Sequence, residues 1–126
     1  KNIESQTVLW VKAEDTRDVI FDELTKLGAI VDKCVSYRTV PETDDPTGAV
    51  ERLKEEGAEV VTFTSGSTVE NFFKLGIPWP EGCQAASIGP ITSEALRAAG
   101  QEPAIEAAKS DIPGLVKAIL KASRKA

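Results

Sequence analysis

One segment sets the architecture of the chain: Val60-Val61-Thr62-Phe63-Thr64-Ser65-Gly66-Ser67-Thr68-Val69-Glu70-Asn71-Phe72-Phe73. It starts as an apolar run typical of a buried strand, turns on small polar residues and continues as a helix. Ser67 and Glu70 have the spacing of a capping box, so we predict that the helix begins there. Such a turn directs free backbone N–H groups and the positive end of the helix dipole beyond the strand, which favours a phosphate or carboxylate ligand.

The composition is that of one globular domain covering residues 1–126, with 41% hydrophobic and 28% charged residues. Because aromatic residues are sparse, we expect the core to rest on Val, Ile, Leu and Ala. No apolar run reaches the length of a membrane span, and no signal segment opens the chain. Cys34 and Cys83 have neither a disulfide framework nor metal-ligand spacing, so we interpret them as small core residues. We therefore expect a cytoplasmic protein with reduced thiols and no membrane partner.

The charge pattern and the lack of histidine exclude several function classes. The net charge is −5 and the basic residues are scattered, which argues against a nucleic-acid partner. The chain contains no histidine, so it has no Ser–His or Cys–His nucleophile pair. The same absence disfavours zinc and non-haem iron sites. We predict no metal.

Strand and helix patterns alternate along the whole chain. Strands are predicted at 7–13, 29–40, 59–64, 84–88 and 103–107, and helices at 16–27, 48–56, 67–76, 92–99 and 113–123. The first strand is continuously apolar, which indicates helices on both faces of the sheet. We predict an α/β three-layer sandwich with a five-stranded parallel sheet in the flavodoxin-like order 2-1-3-4-5. The proline-rich segment 41–48 is predicted to be a hinge or a crossover.

Ligands of such sheets bind beyond the carboxyl ends of the strands, where we expect three notable turns. They are Thr64-Ser65-Gly66-Ser67, Ile88-Gly89-Pro90-Ile91-Thr92 and the end of the second strand with Tyr37 and Thr39. Gly89 allows a close backbone approach, and Pro90 suits the first helical turn. Two simpler interpretations stay open. Hydroxyl residues cap helices in strand-to-helix turns whatever the function, and Tyr37 could be a strand aromatic with a solvated hydroxyl.

The ordered set of these motifs resembles the C-terminal half of the uroporphyrinogen-III synthase family. The matching pieces are Val8-Leu9-Trp10-Val11-Lys12, Thr16-Arg17-Asp18-Val19, Leu27-Gly28-Ala29, Val35-Ser36-Tyr37-Arg38-Thr39-Val40-Pro41, Val61-Thr62-Phe63-Thr64-Ser65-Gly66-Ser67, Ile88-Gly89-Pro90-Ile91-Thr92 and Ala108-Lys109-Ser110-Asp111-Ile112-Pro113-Gly114-Leu115-Val116. No single motif is decisive, but together they cover nearly the whole chain in order.

The resemblance implies a cofactor-free lyase of tetrapyrrole biosynthesis, the route to porphyrins and heme. Such an enzyme cyclises the linear hydroxymethylbilane and inverts its last pyrrole ring, through a reactive azafulvene and a spiro intermediate. The substrate carries eight carboxylates, which agrees with the helix-start turns. By resemblance, Tyr37 would aid departure of the hydroxyl group and Thr92 would hold the substrate. The substrate-binding residues would be Thr64, Ser65, Gly66, Ser67, Gly89, Ile91 and Thr92.

Members of that family are about twice as long as this chain and place the active site between two lobes. By that pattern the segment before 41–48 would belong to one lobe and the remainder to the other. Without the first half, the chain would close into one flavodoxin-like domain or form a domain-swapped homodimer. We expect such a half to have little or no synthase activity.

Three other interpretations stay open. A flavodoxin-like phosphate- or flavin-binding module is the first, although its phosphate loop follows the first strand rather than the third. A response regulator would need a phospho-accepting Asp where the third strand ends in Thr64-Ser65. The third is an excised or engineered half that serves as a fold scaffold, which the absence of an initial Met and the halved length would fit.

Overall fold

Strands and helices alternate five times in the computed structural model, which describes residues 2–124. The elements in chain order are β1 (Thr7–Ala13), α1 (Val19–Lys26), β2 (Ile30–Tyr37), α2 (Ala49–Glu56), β3 (Val60–Phe63), α3 (Gly66–Lys74), β4 (Gln84–Ser87), α4 (Pro90–Ala98), β5 (Pro103–Glu106) and α5 (Ile112–Ser123). Paired strands run parallel. The α/β class is therefore confirmed, and the element ends lie within a few residues of the predicted ones. Across residues 2–124 we find no helix that combines the length and the apolarity needed to cross a membrane.

The strands form two sheets, and the prediction of one five-stranded sheet in the order 2-1-3-4-5 is wrong. One sheet pairs β1 with β2, and the other has the order β3-β4-β5. The chain correspondingly divides into two compact units, unit 1 (Lys1–Val40) and unit 2 (Pro41–Ala126). An apolar run indicates that a strand needs covering, but it does not identify the neighbouring strand. The boundary falls at the start of segment 41–48. A hinge role for that segment, and one domain across 1–126, stay predictions.

Unit 1 contains the two-stranded sheet and helix α1, which contacts β2. Exposure alternates along β1, and the side chains of Leu9 and Val11 are 64% and 59% exposed. Ile30 on β2 is 56% exposed and pairs with Thr7, so it lies on the same sheet face. We predicted that helices cover both faces of β1. For the face with Leu9 and Val11 this prediction is wrong, because these side chains are exposed. Unit 1 carries a bare apolar sheet face.

Unit 2 has three layers. Ala85 of β4 packs with Leu96 on the sheet face that α3 and α4 cover. The next residue, Ala86, packs with Leu115 of α5 on the opposite face. Since successive strand residues point to opposite faces, β4 contributes to both cores. The predicted three-layer arrangement is present in unit 2, around three strands rather than five.

The buried core rests mainly on Ala, Val, Ile and Leu, as predicted, and an aromatic cluster packs against it on one side of unit 2. Its members are Phe63, Phe72, Phe73 and Trp79. The rings of Phe63 and Phe72 meet edge to face with centroids 5.6 Å apart, and Phe73 stacks on Trp79 at 6.1 Å. Such pairs contribute about 0.5–1.5 kcal/mol beyond their buried area. Through Phe72 and Phe73, the cluster packs the C-terminal part of α3 against Phe63 of β3 and against Trp79.

Candidate functional site

The carboxyl ends of the three strands of unit 2 are level with one another. Phe63 is the sheet neighbour of Ser87, which is in turn the neighbour of Glu106. The turns after β3, β4 and β5 therefore share one edge, which we call the carboxyl edge of unit 2. Two of the three turns predicted to share an edge do so. The end of β2, with Tyr37, belongs to the other sheet, so its expected place on the same sheet edge is wrong.

Helix α3 begins at Gly66, one residue before its predicted start at Ser67. Its N-cap is Ser65, whose Oγ accepts a hydrogen bond from the Thr68 N–H at 3.2 Å, while Thr68 Oγ1 accepts from the Ser65 N–H at 3.3 Å. The capping box is therefore Ser65 with Thr68, not Ser67 with Glu70. Both pairs have the same spacing, but Ser65 lies only two residues after the end of β3 and has the extended backbone that an N-cap needs. The N–H groups of Gly66 and Ser67 remain without helical partners.

Helix α4 begins without a side-chain cap. Its N-cap is Gly89, and the helix starts at Pro90, two residues before the predicted start at Thr92. Pro90 lies in the first helical turn, the place that the residue type was predicted to suit. Since proline has no N–H group, the unpaired donors of this first turn are the backbone N–H groups of Ile91 and Thr92. Gly89 has an ordinary extended backbone, so a close approach explains the glycine. A Cβ there would collide with Ser110 Oγ and lie 3.2 Å from Ser110 Cβ. The space above Gly89 is thus taken by protein.

A buried polar network supports the start of α4. Ser87 Oγ accepts a hydrogen bond from the Gly89 N–H at 3.1 Å and donates one to the Gly89 carbonyl at 2.7 Å. Ser93 Oγ lies 2.9 Å from Ser87 Oγ and also hydrogen-bonds to Oε2 of Glu106. Both serines are 0% exposed. Sequence reasoning missed this network. The only signal was two serines flanking the turn within an otherwise small apolar run, and capping explains such serines equally well.

The predicted site residues in unit 2 differ in accessibility. In the turn after β3, Thr64 and Ser67 are exposed, while Ser65 and Gly66 are half-buried. In the turn after β4, Ile91 is 54% exposed, whereas Thr92 is only 4% exposed. A ligand at the second turn would therefore meet the Ile91 side chain and the backbone N–H groups before the Thr92 hydroxyl. The assigned substrate contacts stay predictions.

Tyr37, the other predicted catalytic residue, is the last residue of β2 and lies in unit 1. Its side chain is 63% exposed, and its carbonyl accepts a hydrogen bond from the Glu14 N–H at 2.7 Å. Nearby, Asp18 pairs with Lys33 at 3.1 Å and with Lys12 at 3.8 Å. Tyr37 and Thr92 thus belong to different units.

Positive charge is scarce along the carboxyl edge of unit 2. In the three turns, 64–67, 88–92 and 107–111, the sequence has one basic residue, Lys109. Its Nζ lies 2.9 Å from Asp111 Oδ2, while Asp111 Oδ1 caps α5 by accepting from the Gly114 N–H at 2.7 Å. An anion at this edge would therefore depend on backbone N–H groups and helix dipoles rather than on a cluster of cations.

A depression of about 400 Å³ lies at the opposite edge of the same sheet. It is lined by Glu56, Gly57, Ala58, Glu59, Glu81 and Gly82. Three carboxylates make it a poor site for an anionic ligand. Within residues 2–124, no three carboxylate or thiol side chains converge closely enough to hold a metal ion. The candidate site is therefore the carboxyl edge and not this depression.

Comparison with known proteins gives a consistent result. Residues 1–117 match the family described as Uroporphyrinogen-III synthase HemD. The uroporphyrinogen-III synthase of Synechococcus elongatus is 30% identical over 126 residues, a match that covers 93% of this chain and 48% of the relative. The uroporphyrinogen-III synthase of Chlorobaculum parvum is 30% identical over 123 residues, a match that covers 95% of this chain and 50% of the relative. The chain spans about half the length of these curated relatives.

Two solved structures share the fold. The uroporphyrinogen-III synthetase of Helicobacter pylori aligns with a TM-score of 0.76 at 18% identity, covering 95% of this chain and 55% of that one. The uroporphyrinogen III synthase of Thermus thermophilus aligns with a TM-score of 0.57 at 20% identity, covering 97% of this chain and 51% of that one. At these identities the likeness concerns the fold alone.

Proposed function

This chain belongs to the uroporphyrinogen-III synthase family, and from that premise we propose that it is the C-terminal half of an enzyme that cyclises hydroxymethylbilane with inversion of the last ring. In this proposal the carboxyl edge of unit 2 binds substrate carboxylates. The observation that carries it is the pair of neighbouring helix starts, α3 and α4, which leave the N–H groups of Gly66, Ser67, Ile91 and Thr92 unpaired.

Carboxylates suit this edge for electrostatic reasons. A carboxylate near a helix N-terminus gains about 0.3–1 kcal/mol from the dipole, and a hydrogen bond to a charged group contributes about 1.5–3 kcal/mol. The attraction has to be local, because residues 41–126 contain 13 acidic and 9 basic residues. The proposed contacts are Thr64, Ser65, Gly66, Ser67, Ile91 and Thr92. Gly89, the remaining predicted binding residue, would act by shaping the turn, because Ser110 occupies the space beside its Cα and Ser87 holds its N–H and carbonyl.

In the proposed reaction, Tyr37 assists the loss of the hydroxyl group. Its exposed phenol is free to donate a hydrogen bond to the departing oxygen, which stabilises the developing negative charge. The azafulvene that remains is reactive toward water, so the enzyme must hold and shield it until the ring closes. Thr92 would hold the substrate at the start of α4, largely through its backbone N–H because its side chain is buried.

We propose that this half alone has little or no synthase activity. Unit 1 leaves the apolar face around Leu9, Val11 and Ile30 bare, which is unusual for a complete lobe. With about half of the relatives' length, the chain lacks much of the wall that would confine the azafulvene. A domain-swapped homodimer would supply a second copy of each unit, whereas a monomer would not.

Two assays test this proposal. The first supplies freshly generated hydroxymethylbilane and separates the uroporphyrin isomers after oxidation. We expect no type III isomer above the spontaneous type I background, and substantial type III product would overturn the inactive-half proposal. The second titrates the chain with uroporphyrin III, the fluorescent oxidised form of the type III product. We expect saturable binding that weakens with salt. Its absence would contradict the carboxylate site.

FMN serves as the comparison ligand in the second assay. The flavodoxin-like alternative predicts that the chain quenches flavin fluorescence, whereas the carboxylate site predicts no saturable quenching. Light scattering of the same samples separates the monomer from the swapped dimer, because the dimer has twice the mass of one chain.

A further inference from the structure

We propose that Ser87, Ser93 and Glu106 are positioning residues that hold the start of α4 in its carboxylate-binding conformation. This inference rests on the proposed function, because it concerns the same carboxylate site. None of the three was among the residues predicted to touch substrate. Their role is to fix Gly89, the residue from which α4 begins.

Ser87 holds Gly89 by both of its backbone polar groups. The Ser87 hydroxyl accepts from the Gly89 N–H at 3.1 Å and donates to the Gly89 carbonyl at 2.7 Å. The same carbonyl accepts the helical bond from the Ser93 N–H at 3.0 Å. On the other side, Ser110 packs against the Cα of Gly89, and a Cβ there would displace Ser110 Oγ and lie 3.2 Å from Ser110 Cβ. The orientation of the Gly89 peptide units is therefore set from several directions.

Ser93 and Glu106 extend this support to the neighbouring strand. Ser93 Oγ contacts Ser87 Oγ at 2.9 Å and hydrogen-bonds to the Glu106 carboxylate at the end of β5. A fully buried hydroxyl without a hydrogen-bond partner destabilises the fold, so two such serines are tolerated because they are partners in a network. Alanine already occupies the two positions before Ser87 and is equally buried there. The hydroxyls thus add something that packing does not require.

The consequence for binding concerns the direction of two N–H groups. Ile91 and Thr92 present unpaired N–H groups because α4 starts at Gly89 with no side-chain cap. Without the Ser87 hydroxyl, the Gly89 N–H loses its acceptor and the turn can tilt. Hydrogen bonds to a carboxylate weaken steeply as their angle departs from linear. Loss of the network should therefore weaken binding at α4 while leaving the α3 start intact.

The test compares Ser87→Ala with Ile105→Val in the full 126-residue chain. Ile105 is also buried in unit 2, at 6% exposure, but it packs in the apolar cluster and not in the network. Uroporphyrin III affinity is measured by fluorescence titration, stability by urea unfolding, and ligand-induced amide shifts by NMR. We expect Ser87→Ala to weaken binding about tenfold. Ile105→Val removes one buried methyl group and lowers the stability modestly, and it should change the affinity less than about twofold.

The amide shifts distinguish positioning from general destabilisation. In Ser87→Ala, the ligand-induced shifts of Ile91 and Thr92 should shrink while those of Gly66 and Ser67 persist. Glu106→Gln keeps an oxygen acceptor for Ser93 and should bind uroporphyrin III nearly as tightly as the wild type does. Glu106→Ala removes that acceptor and should bind uroporphyrin III more weakly. Because Glu106 is at the surface, this second pair carries the same test if Ser87→Ala does not fold.

The outcomes separate the two levels of the proposal. Wild-type binding that is unchanged in Ser87→Ala and Glu106→Ala overturns the positioning role and leaves the carboxylate site standing. An equal loss of shifts at both helix starts also overturns it. If the wild-type chain does not bind uroporphyrin III, the proposed function fails, and the positioning role fails with it.

Discussion

Ser67→Asp is the substitution that separates helix stability from ligand binding most clearly. Ser67 is exposed and occupies the second helical position of α3, whose first turn contains no acidic residue. A carboxylate there meets the positive end of the helix dipole, so it should stabilise the folded chain by about 0.3–1 kcal/mol. The same carboxylate would lie where a substrate carboxylate is proposed to bind.

The expected effect on binding is larger and opposite in sign. Two carboxylates about 5 Å apart repel by about 1–3 kcal/mol at the effective dielectric constants of protein surfaces. Affinity for uroporphyrin III should therefore fall by about tenfold to a hundredfold. Ser67→Asn is the matched control, because the asparagine side chain has nearly the same shape as that of aspartate but no charge. Its affinity should stay within about threefold of the wild type.

The assay is a fluorescence titration at low ionic strength, combined with urea unfolding of each variant. A second control, Ser123→Asp, adds the same charge at the last residue of α5, where the helix dipole makes it slightly destabilising. It should leave the affinity unchanged. If Ser67→Asp binds as tightly as Ser67→Asn, the turn after β3 is not a carboxylate site.

Three further predictions follow from individual contacts. Burial raises the pKa of the Cys83 thiol, so iodoacetamide at pH 8 should label the half-buried Cys34 first, as mass spectrometry would show, and faster labelling of Cys83 would contradict this. Gly89→Ala should lower the free energy of unfolding by about 1–3 kcal/mol through its collision with Ser110, and adding Ser110→Gly should restore most of it; no recovery would refute the clash. Burial acts to raise the pKa of Asp45, but hydrogen bonds from the N–H groups at the start of α2 outweigh it and lower that pKa below its ordinary 3.8. The ionised carboxylate, which accepts hydrogen bonds from the N–H groups of Val50 and Glu51, therefore stabilises the fold above about pH 3.8. The wild type should melt at a higher temperature than Asp45→Ala there, and the difference should shrink as the pH falls below about 3.8 toward the lowered pKa; a pH-independent difference would exclude this role of the ionised carboxylate.

Local structure could be predicted because each signal lies within a few residues. The helix stop at Gly28 and the helix start at Pro90 depend on backbone restrictions that the residue type carries by itself. The choice between Ser65 and Ser67 as the cap of α3 could not be made this way, since both have a hydrogen-bonding residue three positions later. It is decided by where β3 ends, which depends on the packing of Phe63.

Sheet membership could not be predicted, because it depends on contacts between distant segments. The apolar run of β1 shows that this strand is suited to burial on both faces, but it carries no information on what covers them. The exposed Leu9 and Val11 show that one of these faces stays bare. The network of Ser87 and Ser93 was equally hidden, because serines beside a turn have the same pattern whether they cap a helix or support one.

The most direct test of the carboxylate edge is an amide NMR titration of the chain with uroporphyrin III. We expect the largest shifts on the N–H groups of Gly66, Ser67, Ile91 and Thr92, at the starts of α3 and α4. Residues 56–59 and 81–82, which line the acidic depression at the opposite edge, should not shift. Shifts centred on that depression, or no saturable shifts at the two helix starts, would contradict a carboxylate site at the carboxyl edge of unit 2.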